Sequence, residues 1–195
     1  MYVFDLDGTL VDSVDAHVRA WLDALSLLGV EAREEDVRPL MGLPATEIAR
    51  RLAPGRAREL ADLKVRLFLE RHIGEVRAYP DVDAITKLPR PIAVVTSSSG
   101  VLARAVLKRI GLPIDYVVGG DEVPRGKPHP DPLYVVSKAF GVSTSSMVVV
   151  GDSIYDVEMA VAAGATPICI ARAGPPCRDG VRVIRSLREL IYAIR

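Results

Sequence analysis

The sequence predicts an α/β fold, a doubly wound, Rossmann-like parallel sheet with a helical cap domain inserted after its first strand. Three observations predict it. Short runs that are apolar throughout, Ile92 to Val95, Tyr116 to Val118, Met147 to Val150 and Pro167 to Ile170, alternate with helical patterns, as in a parallel sheet covered on both faces. One further apolar run, Tyr2 to Leu6, stands apart at the start and is followed by a long stretch with helical spacing and no convincing strand. At 195 residues, 49% of them hydrophobic, the chain is long enough for one well-buried core and a smaller appended unit. The expected division is a core of residues 1–12 and 80–195 and a cap of residues 13–79. Hinges are expected near Leu10 to Ser13 and Ala78 to Asp81.

Taken in order, Tyr2 to Leu6 is β-prone, and Gly8-Thr9 supplies the turn that ends it. Val14, Val18, Trp21, Leu22, Leu25 and Leu28 share a helical face that Gly29 terminates. Amphipathic helices are predicted over Glu34 to Met41, Pro44 to Leu52 and Arg56 to Ile73, separated by Pro39, Gly42-Leu43-Pro44 and Pro54-Gly55. From Pro80 strand and helix alternate, with helices over Val101 to Ile110, around Pro132 to Phe140, over Ile154 to Ala163 and over Leu187 to Ile194. There is no internal repeat and no low-complexity tract.

Lys+Arg and Asp+Glu both number 25, so no net field attracts nucleic acid or an acidic membrane, and any anion site must be local. The two cysteines, Cys169 and Cys177, are too few for a disulfide scaffold and wrongly spaced for a zinc knuckle, which suits a reducing compartment. Acidic residues interrupt the start where an export signal needs an apolar core, and Glu158 and Arg172 break later apolar runs. A cytoplasmic monomer or homodimer with no membrane span is expected. The chain has no Asn and no Gln and far more Arg than Lys, a composition that suits a thermophile and that biased base composition also produces.

The chemistry begins at Asp5-Leu6-Asp7-Gly8-Thr9-Leu10-Val11-Asp12-Ser13. Side chains at i and i+2 of an extended chain point the same way, so Asp5 and Asp7 converge where the strand ends. At about 4 Å and an effective dielectric near 20 two carboxylates repel by roughly 4 kcal/mol, which calls for a cation. Mg²⁺ takes one or two carboxylates and leaves room for waters and a substrate phosphate. A carboxylate can also attack phosphorus, with Asp5 as nucleophile and Asp7 as acid and base. The plainer reading makes Asp7-Gly8 a turn and Asp12-Ser13 a helix cap.

Three later segments bear on that choice. Thr96-Ser97-Ser98-Ser99-Gly100 is a hydroxyl-rich turn at a helix start, suited to an anion, or simply a Ser cap. Gly126-Lys127-Pro128-His129-Pro130-Asp131-Pro132 holds one Lys in a proline-stiffened loop, where its ammonium can neutralise phosphoryl oxygens and aspartates. Val150-Gly151-Asp152-Ser153-Ile154-Tyr155-Asp156 puts a second acidic pair at another strand end, with the look of a capped helix start. Open α/β sheets bind ligands beyond the carboxyl ends of their strands, where all these segments fall.

These segments and their order resemble the four motifs of haloacid dehalogenase-superfamily phosphatases over nearly the whole chain. The resemblance implies that Asp5 is the phosphorylated nucleophile and Asp7 the acid and base. It implies that Thr96, Ser97 and Lys127 hold the phosphoryl group, and that Mg²⁺ is bound by Asp5, the Asp7 carbonyl and Asp152 with Asp156 in support. It further implies a small phosphorylated metabolite as substrate. Met41-Gly42-Leu43-Pro44 with Glu47 to Leu52 is similar to the cap of phosphoglycolate phosphatase-type enzymes, whereas Ala16-His17-Val18-Arg19-Ala20-Trp21 is similar to the β-phosphoglucomutase group. Mutases of that group use a cap Arg just after the cap glycine; here Gly42 is followed by Leu43, Pro44 and Ala45, leaving Arg50 or Arg51 to substitute. His17 reads either as a cap-to-core hydrogen-bonding residue or as a helix-surface residue, and Trp21 as core. Phosphoglycolate is the first substrate expected, with a sugar-phosphate phosphatase, a phosphomutase or a non-catalytic phosphate-binding or receiver-like domain as alternatives.

Overall fold

The computed structural model describes residues 1–172 and 177–192. In chain order the elements are β1 (Tyr2–Phe4), β2 (Val11–Asp12), α1 (Val14–Leu27), α2 (Glu34–Val37), α3 (Ala45–Leu52), α4 (Ala57–Leu67), β3 (Arg77–Ala78), β4 (Ile92–Val95), α5 (Gly100–Ile110), β5 (Tyr116–Val118), α6 (Asp131–Phe140), β6 (Val148–Gly151), α7 (Ile154–Ala162), β7 (Thr166–Ile170), β8 (Arg182–Ile184) and α8 (Glu189–Tyr192).

Six strands form one parallel sheet in the order β5-β4-β1-β6-β7-β8. The chain therefore winds outward from β1 to β5, crosses back and winds outward again from β6. Winding reverses between β1 and β6, the place where a doubly wound sheet opens a crevice at its strand ends. Asp5 follows β1 and Asp152 follows β6, so the two sit on either side of that crevice.

Both faces of the sheet are covered, as unbroken apolar strands require. Ile92 and Val94 point into one cluster with Phe4, Val106 and Ile170, and Ala93 and Val95 into another with Val3, Leu133 and Met159. A third cluster belongs to the cap, where α1, α3 and α4 pack Val18, Trp21, Leu25, Ile48, Leu60 and Leu67 together. Helix α1 is buried on two sides, because Ala16 and Ala20 lie against the core while Val18, Trp21 and Leu25 fill the cap.

Several boundaries differ from the sequence reading. The segment predicted as one helix from Glu34 to Met41 stops at Val37 and continues as a 3₁₀ turn over Arg38–Leu40, since Pro39 cannot extend it. The segment Arg56 to Ile73 is α-helical only over Ala57–Leu67, then passes through a π turn, Phe68–His72, and a 3₁₀ turn, Ile73–Glu75. The antiparallel pair β2 and β3, joining Val11 to Ala78 and Asp12 to Arg77, and the edge strand β8 were not anticipated. The helix expected over Leu187 to Ile194 is observed from Glu189, and its final residues lie outside the described ones. Cys169 and Cys177 form a disulfide, contrary to the expectation drawn from their number. Cys169 is buried in β7, and Cys177 lies beside it, 5.8 Å away between Cα atoms. No described helix is long and apolar enough to cross a membrane.

Candidate active site

The site is assembled from turns that leave the sheet at its carboxyl edge. Backbone pairing carries β1 one residue further, with the Asp5 N–H donating to the Val150 carbonyl at 2.9 Å, and this fixes Asp5 beside β6. Gly8 then turns the chain at φ +86°, and a Cβ there would lie 2.2 Å from Asp152 Oδ2, so the turn needs glycine on both counts. Thr9, fully buried, donates its hydroxyl to Asp152 Oδ1 at 3.3 Å. At the start of α7 Ser153 and Asp156 form the capping box read from the sequence, and the same Asp156 carboxylate faces the site.

Lys127 unites the acids. Its Nζ donates to Asp5 Oδ1 at 2.6 Å and to Asp156 Oδ1 at 2.5 Å, and the side chain is almost wholly buried. Oxygens of Asp5, Asp152 and Asp156 lie within 4.8 Å of one another. Burial pushes the Asp5 carboxyl well above the usual carboxylate range; Lys127 opposes this, while Asp156, Asp152 and Asp7 add to it. Burial alone would lower Lys127, but Asp156 and Asp5 hold it above its ordinary value. Asp152 is exposed at the cavity mouth, yet the protein crowded around its carboxylate strips its hydration and, with the Asp156 charge, pushes it up to about 7 against the pull of Lys127. Hard oxygen donors with excess negative charge are what a small divalent cation such as Mg²⁺ requires, so the residues present fit one.

Asp7 is held differently. Its Oδ1 accepts from Ser13 Oγ at 2.6 Å and faces His17 Nε2 at 3.0 Å, and its Oδ2 accepts from Thr96 Oγ1 at 3.2 Å and Ser98 Oγ at 2.8 Å. Burial would raise this carboxyl, but His17 and the hydroxyl donors outweigh it and hold it well below the carboxylate range. Behind His17 the Lys64 ammonium reaches Nδ1 at 2.7 Å. Burial and Lys64 together lower the imidazole, with Asp7 opposing. Burial also brings Lys64 down to about 8, with Asp7 opposing. A charged Lys64 donating to Nδ1 leaves the ring proton on Nε2, from which it points at Asp7.

The cavity between core and cap, about 110 Å³, is lined by these groups and by a cap wall of Val14, Trp21, Met41, Leu43 and Ile48. The structure thus brings Asp5, Asp7, Thr96, Ser97, Lys127, Asp152, Asp156 and His17 to one cavity. Ser97 turns its hydroxyl to the Gly42 carbonyl of the cap at 2.8 Å. Arg50 and Arg51 are not brought there; both are exposed, pair with Glu47 on their own helix and do not line the cavity. Of the two readings of His17, burial at 5% exposure and the contact with Asp7 exclude the surface one.

Sequence reasoning missed Lys64, Ser13, Ser98 and Thr9. Lys64 had a signal, since Leu60, Lys64 and Leu67 share a helix face by spacing and a lysine inside an apolar stripe needs a reason. Ser98 lay in the hydroxyl-rich turn already singled out, but Ser13 and Thr9 had no signal, because Ser and Thr near turns and helix starts are ordinary caps.

A family model described as haloacid dehalogenase-like hydrolase matches residues 2–170. The chain is 33% identical over 178 residues to the phosphoglycolate phosphatase of Neisseria meningitidis, covering 83% of this chain and 75% of that protein. It is 34% identical over 205 residues to hexitol phosphatase A of Escherichia coli, covering 97% of this chain and 92% of that protein. Among solved structures, a CbbY mutant from Rhodobacter sphaeroides in complex with xylulose-(1,5)bisphosphate superimposes with a TM-score of 0.83 at 26% identity, covering 97% of this chain and 95% of that one.

Proposed function

The chain belongs to the haloacid dehalogenase-like hydrolase family, and from that premise we propose that it is a phosphatase hydrolysing the phosphomonoester of a small metabolite in two displacements on Asp5. In the first, an Asp5 oxygen forms a bond to phosphorus, the bond from phosphorus to the substrate oxygen breaks, and the departing oxygen takes a proton from Asp7. In the second, Asp7 takes a proton from water, the water oxygen bonds to phosphorus, and the bond to Asp5 breaks to release phosphate. Splitting one hard displacement in two lowers each barrier.

The remaining residues serve these steps. Lys127 offsets the charge shared by Asp5 and the phosphoryl group, and Thr96 and Ser97 would offer it donors by turning their hydroxyls away from Asp7 and the Gly42 carbonyl. His17 and Lys64 supply the proton that Asp7 gives up in the first step: as Lys64 gives a proton to His17 Nδ1, the ring passes its Nε2 proton to the ionised Asp7, and the proton that Asp7 takes from water in the second step returns to Lys64 by the same path. Mg²⁺ would be held by Asp5, Asp152 and Asp156 with the Asp7 carbonyl; when bound it neutralises the substrate phosphate and the acids around it.

The observation that carries this reading is the bridge from Lys127 to both Asp5 and Asp156, with Asp152 at the same point. Two relatives are phosphatases of small phosphate esters, and phosphoglycolate is the first substrate to assay. A phosphomutase needs a cation in the cap for a second phosphate, and among the described residues lining the cavity the cap supplies only Lys64, already engaged with His17. That favours a substrate with one phosphate.

The test is release of phosphate from an aryl phosphate and from phosphoglycolate, with Mg²⁺ and with EDTA, by the wild type and by Asp5→Asn. The expected loss in Asp5→Asn is about 10⁴-fold or more. Appreciable steady-state turnover in that variant would refute the covalent route, and a phosphorylated wild type that never turns over would favour the receiver-like alternative.

A further inference from the structure

Arg172 enters the sequence only as a charge that ends an apolar run, and in the fold it lies on the segment that the Cys169–Cys177 disulfide closes. Its guanidinium reaches three residues at once, Thr9, Tyr79 and Asp81. Nε and Nη2 donate to the Thr9 carbonyl at 3.2 and 2.6 Å, and Nη1 donates to Asp81 Oδ1 and Oδ2 at 2.9 and 3.0 Å. The group also stacks on Tyr79, 3.8 Å from the ring centroid.

These are the two places where the chain leaves the core for the cap and returns. Thr9 precedes β2, and Tyr79 and Asp81 follow β3. The Tyr79 N–H donates to the Leu10 carbonyl at 3.1 Å, which ties the crossings to each other. Asp81 is anchored in turn, its Oδ2 accepting from Ser186 Oγ and the Leu187 N–H, both at 2.8 Å.

Thr9 faces two ways. Its carbonyl is gripped by Arg172, and its hydroxyl donates to Asp152. The neighbouring Gly8 leaves no room for a Cβ against the same carboxylate. A shift of this turn therefore moves Asp152.

We propose that Arg172 is a positioning residue that seats Asp152 for its cation through Thr9 and ties that seat to both crossings of the cap. The proposal rests on the reading of Asp152 as a Mg²⁺ ligand. A planar fork of donors suits the task, because one group must meet a carbonyl, a carboxylate and an aromatic face together. A lysine keeps the charge and loses that geometry.

The experiment is calorimetric titration of the full chain with Mg²⁺ alone, without substrate, on the wild type, Arg172→Lys, Thr9→Val and the double variant, each well below its unfolding midpoint. Groups that orient metal ligands typically contribute about 10-fold or more to affinity. Arg172→Lys is expected to weaken Mg²⁺ binding by about 10-fold, Thr9→Val by a similar factor, and the double variant by no more than either, since one acts through the other. A folded Arg172→Lys that melts earlier but binds Mg²⁺ within about twofold of the wild type would overturn the proposal, as would losses that simply multiply. If Arg172→Lys does not fold, Asp81→Asn replaces it, with the same expectation of weakened binding and the same refutation by unchanged affinity. No Mg²⁺ binding by the wild type would overturn the functional reading itself, a result distinct from unequal or independent losses among the variants.

Discussion

Lys64 Nζ lies 2.7 Å from His17 Nδ1, so a cap lysine fixes the tautomer of the imidazole that faces the core acid Asp7. The two residues come from different cap helices, and Asp7 comes from the core. Proton placement at Asp7 is therefore tied to the cap being seated.

Lys64→Met is expected to stabilise the protein and impair it. Burial holds the folded pKa of Lys64 at about 8, below the roughly 10.4 of an unfolded lysine. The unfolded chain thus binds this proton more tightly, and folding is penalised wherever Lys64 must be charged. The penalty is present in full below about pH 8 and fades as pH rises from about 8 towards 10, so this residue makes stability increase with pH across that window. Contacts of the ammonium with the Trp21 and Phe68 rings recover part of it. Denaturant unfolding at pH 7 should show Lys64→Met more stable by about 1–2 kcal/mol, while kcat falls by about 10- to 100-fold. The wild-type kcat should decline above about pH 8, and that limb should vanish in the variant. A less stable variant with unchanged kcat would remove the assignment.

Mg²⁺ should raise the unfolding midpoint, because Asp5, Asp152 and Asp156 crowd negative charge that only the folded chain gathers. At a concentration about 100 times the dissociation constant the added stability is about 2.7 kcal/mol. For a chain of this size that is a rise of about 5–10 °C, reversed by EDTA. Thermal unfolding with and without the ion, in the wild type and Asp152→Asn, checks it; an equal rise in both would mean that the ion binds elsewhere.

The sheet was legible because its strands are apolar on both sides, and Ile92 to Val95 declares that without help from the rest of the chain. The pair β2 and β3 was not, since two residues show no alternation and their pairing is settled by where the cap departs and returns. Asp5, Lys127, Asp152 and Asp156 could be gathered from sequence because each follows a strand or sits in a stiffened loop near the strand ends. Arg50 and Arg51 were placed near the site by their distance from Gly42 along the chain, but helical geometry turns them to Glu47. Lys64 and Arg172 escaped because their partners, His17, Thr9 and Asp81, are remote in sequence, and only the closed fold brings them together.

Gly8→Ala should abolish Mg²⁺ binding while leaving the sheet folded. The substitution meets two obstacles, a backbone at φ +86° and an Asp152 oxygen 2.2 Å from the new Cβ. The first costs about 1 kcal/mol or more, and the second must displace a carboxylate proposed to bind the ion. Circular dichroism should remain that of the wild type, and calorimetry should show no Mg²⁺ heat; normal binding would mean that the turn relaxes without moving Asp152.

The disulfide bears on where this protein works. Two cysteines alone suited a reducing compartment, yet Cys169 and Cys177 are bonded across the segment that carries Arg172. Intracellular disulfides are ordinary in hyperthermophiles and rare in mesophiles. The absence of Asn and Gln points the same way, since these amides are thermolabile. The expected unfolding midpoint therefore lies above the mesophile range of about 45–65 °C. Closing so short a loop contributes about 2.5 kcal/mol by chain entropy, so reduction should lower the midpoint by about 5–10 °C. Alkylation of the unfolded chain should label neither cysteine before reduction and both after it. Free thiols in protein isolated under alkylating conditions, with a midpoint inside the mesophile range, would remove the thermophile reading and leave Arg172 held by Thr9, Tyr79 and Asp81 without the closed loop.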